Sequence, residues 1–288
     1  MTATEQLSGG KSARQLERER YRRRRSIRDG TVAAASTVVV FAVIIVLFVN
    51  APGWPRVRET FFSLDALTGS LPQILSGFWL NVRMFLIGEV LVLAFGLLTA
   101  LTRGLTGPAF LPLRLIATVY VDVFRGIPTL LVVFLLGFGM PALRLQGLPN
   151  DPVFWGVTAL VLSYGAYVAE VYRAGIDSVH PSQMAAARSL GLSRGQAMRS
   201  VILPQAIRRV VPPLLNDFVS LQKDTALVAV LGPLEAVRQA QIYASSNFNY
   251  TPYVLAAAFF LALTIPLTRV YDRVAAREAA RRGPGGPR

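Results

Sequence analysis

The sequence predicts an all-α fold, a polytopic transmembrane helical bundle of about six spans. Three observations predict it. Of the 288 residues, 53% are hydrophobic and only 16% charged, where a soluble domain carries about 25% charged residues. Apolar runs of about twenty residues, enough to cross a bilayer, recur along the chain between polar or Gly/Pro-rich stretches. The arginines gather at the edges of those runs, as the positive-inside rule requires.

Residues 1–30 form a basic tail with the run Arg22 to Arg25, which fits a surface helix as well as an unstructured segment. Residues 31–50 are apolar and uncharged and form the first span. A cleaved signal sequence fits less well, because the apolar run is long and VNAPGW lacks a small-residue cleavage pattern. Residues 51–70, with Pro52, Gly53, Trp54 and Pro55, read as an extracytoplasmic loop with a short interfacial helix near 60–67. A transmembrane domain follows over 71–273. Its spans are expected near 73–101, 113–140, 153–172, 207–231 and 253–271, with outer loops at 141–152 and 232–252. Residues 274–288 are a second basic tail.

An even number of spans puts both termini on one side. Arg14 to Arg28, Arg103, Arg114, Arg173 to Arg209 and Arg269 to Arg282 share that side, which is therefore the cytoplasm. Arg56, Arg58, Arg144 and Arg238 are the outer minority. The net charge of +14 thus sits at membrane edges, where it attracts anionic lipid headgroups rather than nucleic acid. The chain has no cysteine, one histidine (His180), and no phosphate-binding glycine loop or hydrolase motif. It is expected to be no enzyme, with no catalytic residues, no metal site and no cofactor of its own.

Residues 180–206, HPSQMAAARSLGLSRGQAMRSVILPQA, are polar yet lie between very apolar segments. They read as two short helices joined at Gly191. Ser182 caps the first or Pro181 opens it. Gly191 suits a left-handed helix end, Ser193 with Gln196 forms a capping box, and Pro204 marks the junction with the next span. A solvated loop helix is the plain alternative. A DNA-binding helix-turn-helix is not credible so close to two spans.

This segment resembles the EAA loop of ABC-transporter permease subunits: Glu-Ala-Ala, three residues, Gly, nine residues, Ile, one residue, Leu-Pro. Ala186, Ala187, Gly191, Leu203 and Pro204 fall in register, Val201 stands for the Ile, and Ala185 stands where the family has Glu. Tyr120, Arg125, Gly126 and Pro128 resemble the polar amino-acid branch of that family. So do Ser163, Tyr164, Tyr167, Ala169, Glu170, Arg173, Gly175, Ile176 and Ser178. The resemblance covers roughly 71–273 and implies a type I ABC importer permease fold in a bacterial plasma membrane. It also implies a second permease chain, ABC ATPase subunits carrying ATP and Mg²⁺, and an extracytoplasmic amino-acid-binding protein. Ala185, Ala186, Ala187, Gly191, Val201, Leu203 and Pro204 would then couple this chain to the ATPase.

Charges at membrane depth face a bundle interior or a wet cavity. In the fifth span Asn216, Asp217, Ser220, Lys223 and Asp224 share one sector of the helix, opposite Val211, Leu214, Phe218 and Leu221. With Glu89 they are candidates to line a translocation pathway; a structural Lys–Asp network is the alternative. Asp122 and Arg125, three apart, are expected to pair, and Glu170 with Arg173 to brace the 180–206 segment. Pro128, Pro204, Pro212, Pro213 and Pro266 can break helices around a cavity. The rival function is a membrane scaffold or sensor that recruits a non-ATPase partner through its basic loop.

Overall fold

The computed structural model describes residues 13–281, and every regular element among them is helical. The chain divides into two units, Met1–Glu59 and Thr60–Arg288.

In the first unit, α1 (Ala13–Val49) is one helix of 37 residues, so the described part of the basic tail is helical. Its stretch Arg28–Val49 is apolar and long enough to cross a membrane, and its residues from Val38 onward are all exposed, as lipid-facing side chains must be. The short helix expected near 60–67 lies earlier, as α2 (Trp54–Phe61), with Pro55 in the first turn, where the missing N–H costs nothing.

In the second unit, α3 (Leu64–Arg103) runs 40 residues and begins well before the expected span. Ser63 caps it by accepting from the Ala66 amide at 3.3 Å, and the Ser63 amide donates to Thr251 Oγ1 at 3.0 Å. The third span, expected to be continuous, is broken. α4 (Leu111–Gly126) and α5 (Thr129–Ala142) meet at 110°. Pro128 cannot donate a backbone hydrogen bond and drives Ile127 into extended conformation, φ −100° and ψ 132°, which ends α4.

α6 (Pro152–Asp177) is capped by Asp151, whose Oδ1 accepts from the Val153 amide at 3.0 Å. α7 (Pro181–Ser189) and α8 (Arg194–Ala197) are the two short helices expected around Gly191. The second does not stop at Pro204. It passes through a π-helical turn, Met198–Ile202, into α9 (Leu203–Asp224), and the π register accommodates a proline that cannot donate to the residue four before it. A 3₁₀ segment, Thr225–Leu231, replaces the end of the expected fifth span. The outer loop expected at 232–252 contains a helix, α10 (Ala236–Asn247), buried through Ala236, Ala240 and Ala244 against α3 and α11 (Thr251–Arg281).

Among the described residues four helices are long and apolar enough to cross a membrane, or five if the bent α4–α5 pair is one span. The remaining expected span falls on α9, where Arg208, Arg209, Asn216, Asp217, Lys223 and Asp224 lower the apolar content. The main core joins α3, α6 and α9 through Met84, Phe85, Val92, Leu160, Tyr164, Val168 and Leu221. Buried polar groups pin α3 to the 3₁₀ segment and to the start of α10. Asn81 on α3 donates to Glu235 Oε2 at 3.0 Å and to Thr225 Oγ1 at 3.2 Å, and accepts from the Ala236 amide at 3.1 Å. With Asn81 and Glu235 both within 1% of complete burial, these bonds replace the water the groups have lost.

Candidate functional site

The expected polar sector of α9 resolves into two stripes. Asn216 and Lys223, seven residues apart, are exposed. Asp217, Ser220 and Asp224 are half-buried and turned toward α3 and α6. Tyr164 on α6 donates to Asp224 Oδ2 at 2.7 Å. Asp217 lies within electrostatic reach of Glu89 on α3, and Glu89 within reach of Tyr172 on α6. The structure therefore gathers Glu89, Asp217 and Asp224 from two helices, with two tyrosines from a third. Leu214, Phe218 and Leu221 of α9 pack into the core, as their spacing predicted.

The Lys–Asp network is not present. Lys223 is exposed and makes no ion pair among the described residues, whereas Asp224 is held by Tyr164. A hydrogen bond to an ionised group is worth about 1.5–3 kcal/mol, so Tyr164→Phe should lower the thermal stability of the detergent-purified chain, while Lys223→Met should change it by no more than about 0.5 kcal/mol. Equal destabilisation by both in thermal melts would contradict this geometry. The two tyrosines were absent from the expected site because their partners lie on other helices, far away in sequence.

The other expected pairs also change. Asp122 is exposed and does not meet Arg125. Glu170 does not pair with Arg173. Its Oε2 accepts from Arg103 Nη1 at 2.7 Å and lies 3.8 Å from Arg125, whose guanidinium sits over the Tyr167 ring. Arg173 instead meets Asp177 at 3.5 Å. Glu170 thus ties α6 to α3 and α4, and bracing of the 180–206 segment falls to Arg209, whose guanidinium donates to the Ser178 carbonyl.

The 180–206 segment is a folded unit. His180, not Ser182, caps α7 by accepting from the Ser182 amide at 3.2 Å, and Pro181 opens the helix. Gly191 ends it in left-handed conformation, φ +85°. The Leu192 amide then reaches the Ala187 carbonyl and the Gly191 amide the Arg188 carbonyl, which completes a Schellman motif. The expected capping box is present. Ser193 Oγ accepts from the Gln196 amide at 3.3 Å, and Gln196 Oε1 accepts from the Ser193 amide at 2.8 Å. Val179, Ile202 and Ala206 form a small core with Met184, Met198 and Val201. Ala187 is also buried, so Ala187 and Val201 hold the unit together, whereas Ala185, Ala186, Gly191, Leu203 and Pro204 face outward. Leu190, the C-cap of α7, is not among the expected coupling residues. It is 83% exposed, a large apolar side chain presented at the tip of the segment.

Residues 109–279 match the family described as the binding-protein-dependent transport system inner membrane component. The chain is 43% identical to a Bacillus subtilis protein named as a probable glutamine ABC transporter permease, GlnM, over 55% of this chain and 73% of that one. It is 33% identical to the arginine transport system permease protein ArtQ of the same organism, over 71% of this chain and 91% of that one. Among solved structures, a chain described as an amino acid ABC transporter with histidines aligns with a TM-score of 0.68 and 33% identity, covering 75% of this chain and 98% of that one.

Proposed function

Since this chain belongs to the family of binding-protein-dependent transport system inner membrane components, we propose that it is the membrane-spanning permease subunit of an ABC importer for polar amino acids. The observation that carries this reading is the α7–α8 unit: capped at its turn, packed onto the start of α9, and apolar at its exposed tip. A loop that only joined two spans would need none of these features. Ala185, Ala186, Gly191, Leu203 and Pro204 form the outward face that meets an ATPase subunit, with Leu190 as its apolar knob. ATP and Mg²⁺ act on that partner. Closure of the ATPase pair moves the unit, and α9, continuous with it, carries the motion into the bundle.

Glu89, Asp217, Ser220 and Asp224 line the route, with Asn216 and Lys223 beside them. Carboxylates outnumber the one ammonium there, which favours the amino end of a zwitterion and a cationic side chain. A second permease chain completes the cavity, and a soluble amino-acid-binding protein delivers substrate from outside. The scaffold reading lacks any observation in its favour beyond the basic charge of the segment. Affinity purification of the tagged chain from its native membrane tests the proposal. An ATPase subunit should co-purify and be lost with Leu190→Asp. Its absence from the unsubstituted chain would move the assignment to a scaffold.

Both termini are cytoplasmic on this reading, with the α4–α5 pair counted as one crossing and α9 with its 3₁₀ extension as another. The chain has no cysteine, so Asn247→Cys, at the exposed end of α10, gives a single label site. An impermeant thiol reagent added to intact cells should modify it. Labelling only after the membrane is opened would invert the topology. Thr4→Cys, in the basic tail, should stay unlabelled under the same conditions; that residue lies outside the described residues.

A further inference from the structure

We infer that the cleft between the end of α3 and the start of α4 binds the phosphate of an anionic glycerophospholipid. A cavity of about 310 Å³ is lined there by Arg103, Leu111, Arg114, Leu115 and Thr118. Its two guanidiniums are under-used. Arg103, with a side chain only 9% exposed, gives Nη1 to Glu170 at 2.7 Å, but its Nε is buried with no acceptor. Arg114 Nε is likewise buried without an acceptor, and Arg114 makes no ion pair among the described residues.

A buried guanidinium donor left unpaired costs free energy, and two lining one cavity define a place where an acceptor anion is favoured. The planar fork of arginine matches a phosphate in geometry and charge. Glu170 is the carboxylate that could oppose an anion here, and it is already engaged by Arg103 and Arg125. Asp122, two turns along α4 from Arg114, is exposed.

The surroundings select a lipid over a free ion. Leu111 and Leu115, at the rim, are 57% and 61% exposed, so the cleft offers a charged floor with an apolar lip. It lies where the long apolar helix α3 ends and α4 begins, and the end of a span is where headgroups rather than acyl chains surround a membrane protein. Glu170 ties it to α6, the helix that leads into α7, so the site occupies the end of the bundle that carries the coupling unit.

Native mass spectrometry of the full-length chain in detergent tests this, with dioleoyl phosphatidylglycerol, dioleoyl phosphatidylcholine and inorganic phosphate as separate additions. One phosphatidylglycerol should be retained in preference to phosphatidylcholine, and it should raise the melting temperature. Arg114→Gln should weaken retention by about tenfold or more, the equivalent of one charge-assisted hydrogen bond. Arg114→Lys, which keeps the charge but not the fork, should fall between. Arg273→Gln, an equal loss of charge at an exposed position of α11, should have no effect. Melting of the Arg114 variants without added lipid should not fall below the parent, since the residue makes no hydrogen bond or ion pair among the described residues that the fold would lose. Equal retention of the two lipids, or equal loss with Arg273→Gln, would show diffuse attraction and overturn the site. Stabilisation by inorganic phosphate matching that by phosphatidylglycerol would assign a free anion and overturn the lipid.

Discussion

Replacing Gly77 by valine is expected to prevent the chain from accumulating in folded form. Gly77 lies on the face of α3 that meets the start of α10. A Cβ built there would stand 2.6 Å from the Glu235 carbonyl carbon and 2.7 Å from the Ala236 nitrogen. Those are backbone atoms, so no rotamer change relieves the clash, and α10 must withdraw from α3. The withdrawal breaks the Asn81 bonds to Glu235 and Ala236 one turn away and strands a carboxylate that has no exposure. Overpacking costs about 1–3 kcal/mol and an unsatisfied buried partner about as much again, against a total stability of roughly 5–15 kcal/mol. The measurement is the fraction of membrane-extracted chain that elutes as a single species, with its melting temperature. Gly139→Val is the control, since nothing lies within 4 Å of a Cβ there. If the Gly77 and Gly139 variants melt alike, the close approach of α3 and α10 is wrong.

Gly191→Val should abolish uptake while leaving the chain in the membrane. At φ +85° a branched side chain is strained, by roughly 1–2 kcal/mol for any L-residue, although open space surrounds the position. The strain is confined to a small unit outside the main core, so the bundle survives and the angle between α7 and α8 does not. Gly191→Asn separates the two ways this could act. Asparagine tolerates the left-handed region, so it should restore much of the uptake if the backbone turn is what matters. Expression, uptake and binding-protein-stimulated ATP hydrolysis would be measured together. Wild-type uptake by the valine variant at normal expression would remove Gly191 from the coupling unit.

What was legible in the sequence was mostly local. Gly191 and the Ser193–Gln196 box follow from spacing along one turn, and the structure places both so; of the five residues expected to share one sector of α9, Asp217, Ser220 and Asp224 turn inward while Asn216 and Lys223 are exposed. The break between α4 and α5 was visible as Pro128, but the even apolar composition on either side made the run look continuous. Charge pairing is not legible from spacing along one helix. Glu170 has Arg173 within reach along its own helix, yet it meets Arg103, 67 residues away, because α3 and α6 pack closely and Arg103 is largely buried. For the same reason Asp224 takes Tyr164 rather than Lys223. The cap of α7 went to His180 because the residue before Pro181 takes an extended conformation, from which its ring reaches the Ser182 amide.

The most direct test of the account is ATP-driven uptake by proteoliposomes. They would contain this chain with its co-purified ATPase subunit, and the amino-acid-binding protein would be added on the side opposite the ATPase. The account predicts accumulation of a polar amino acid that requires all three components and ATP, and that is lost when Asp217→Asn is combined with Glu89→Gln although stimulated ATP hydrolysis persists. Full accumulation with both carboxylates neutralised would contradict the assigned pathway, and no accumulation by the unsubstituted complex would contradict the assignment of this chain as the permease.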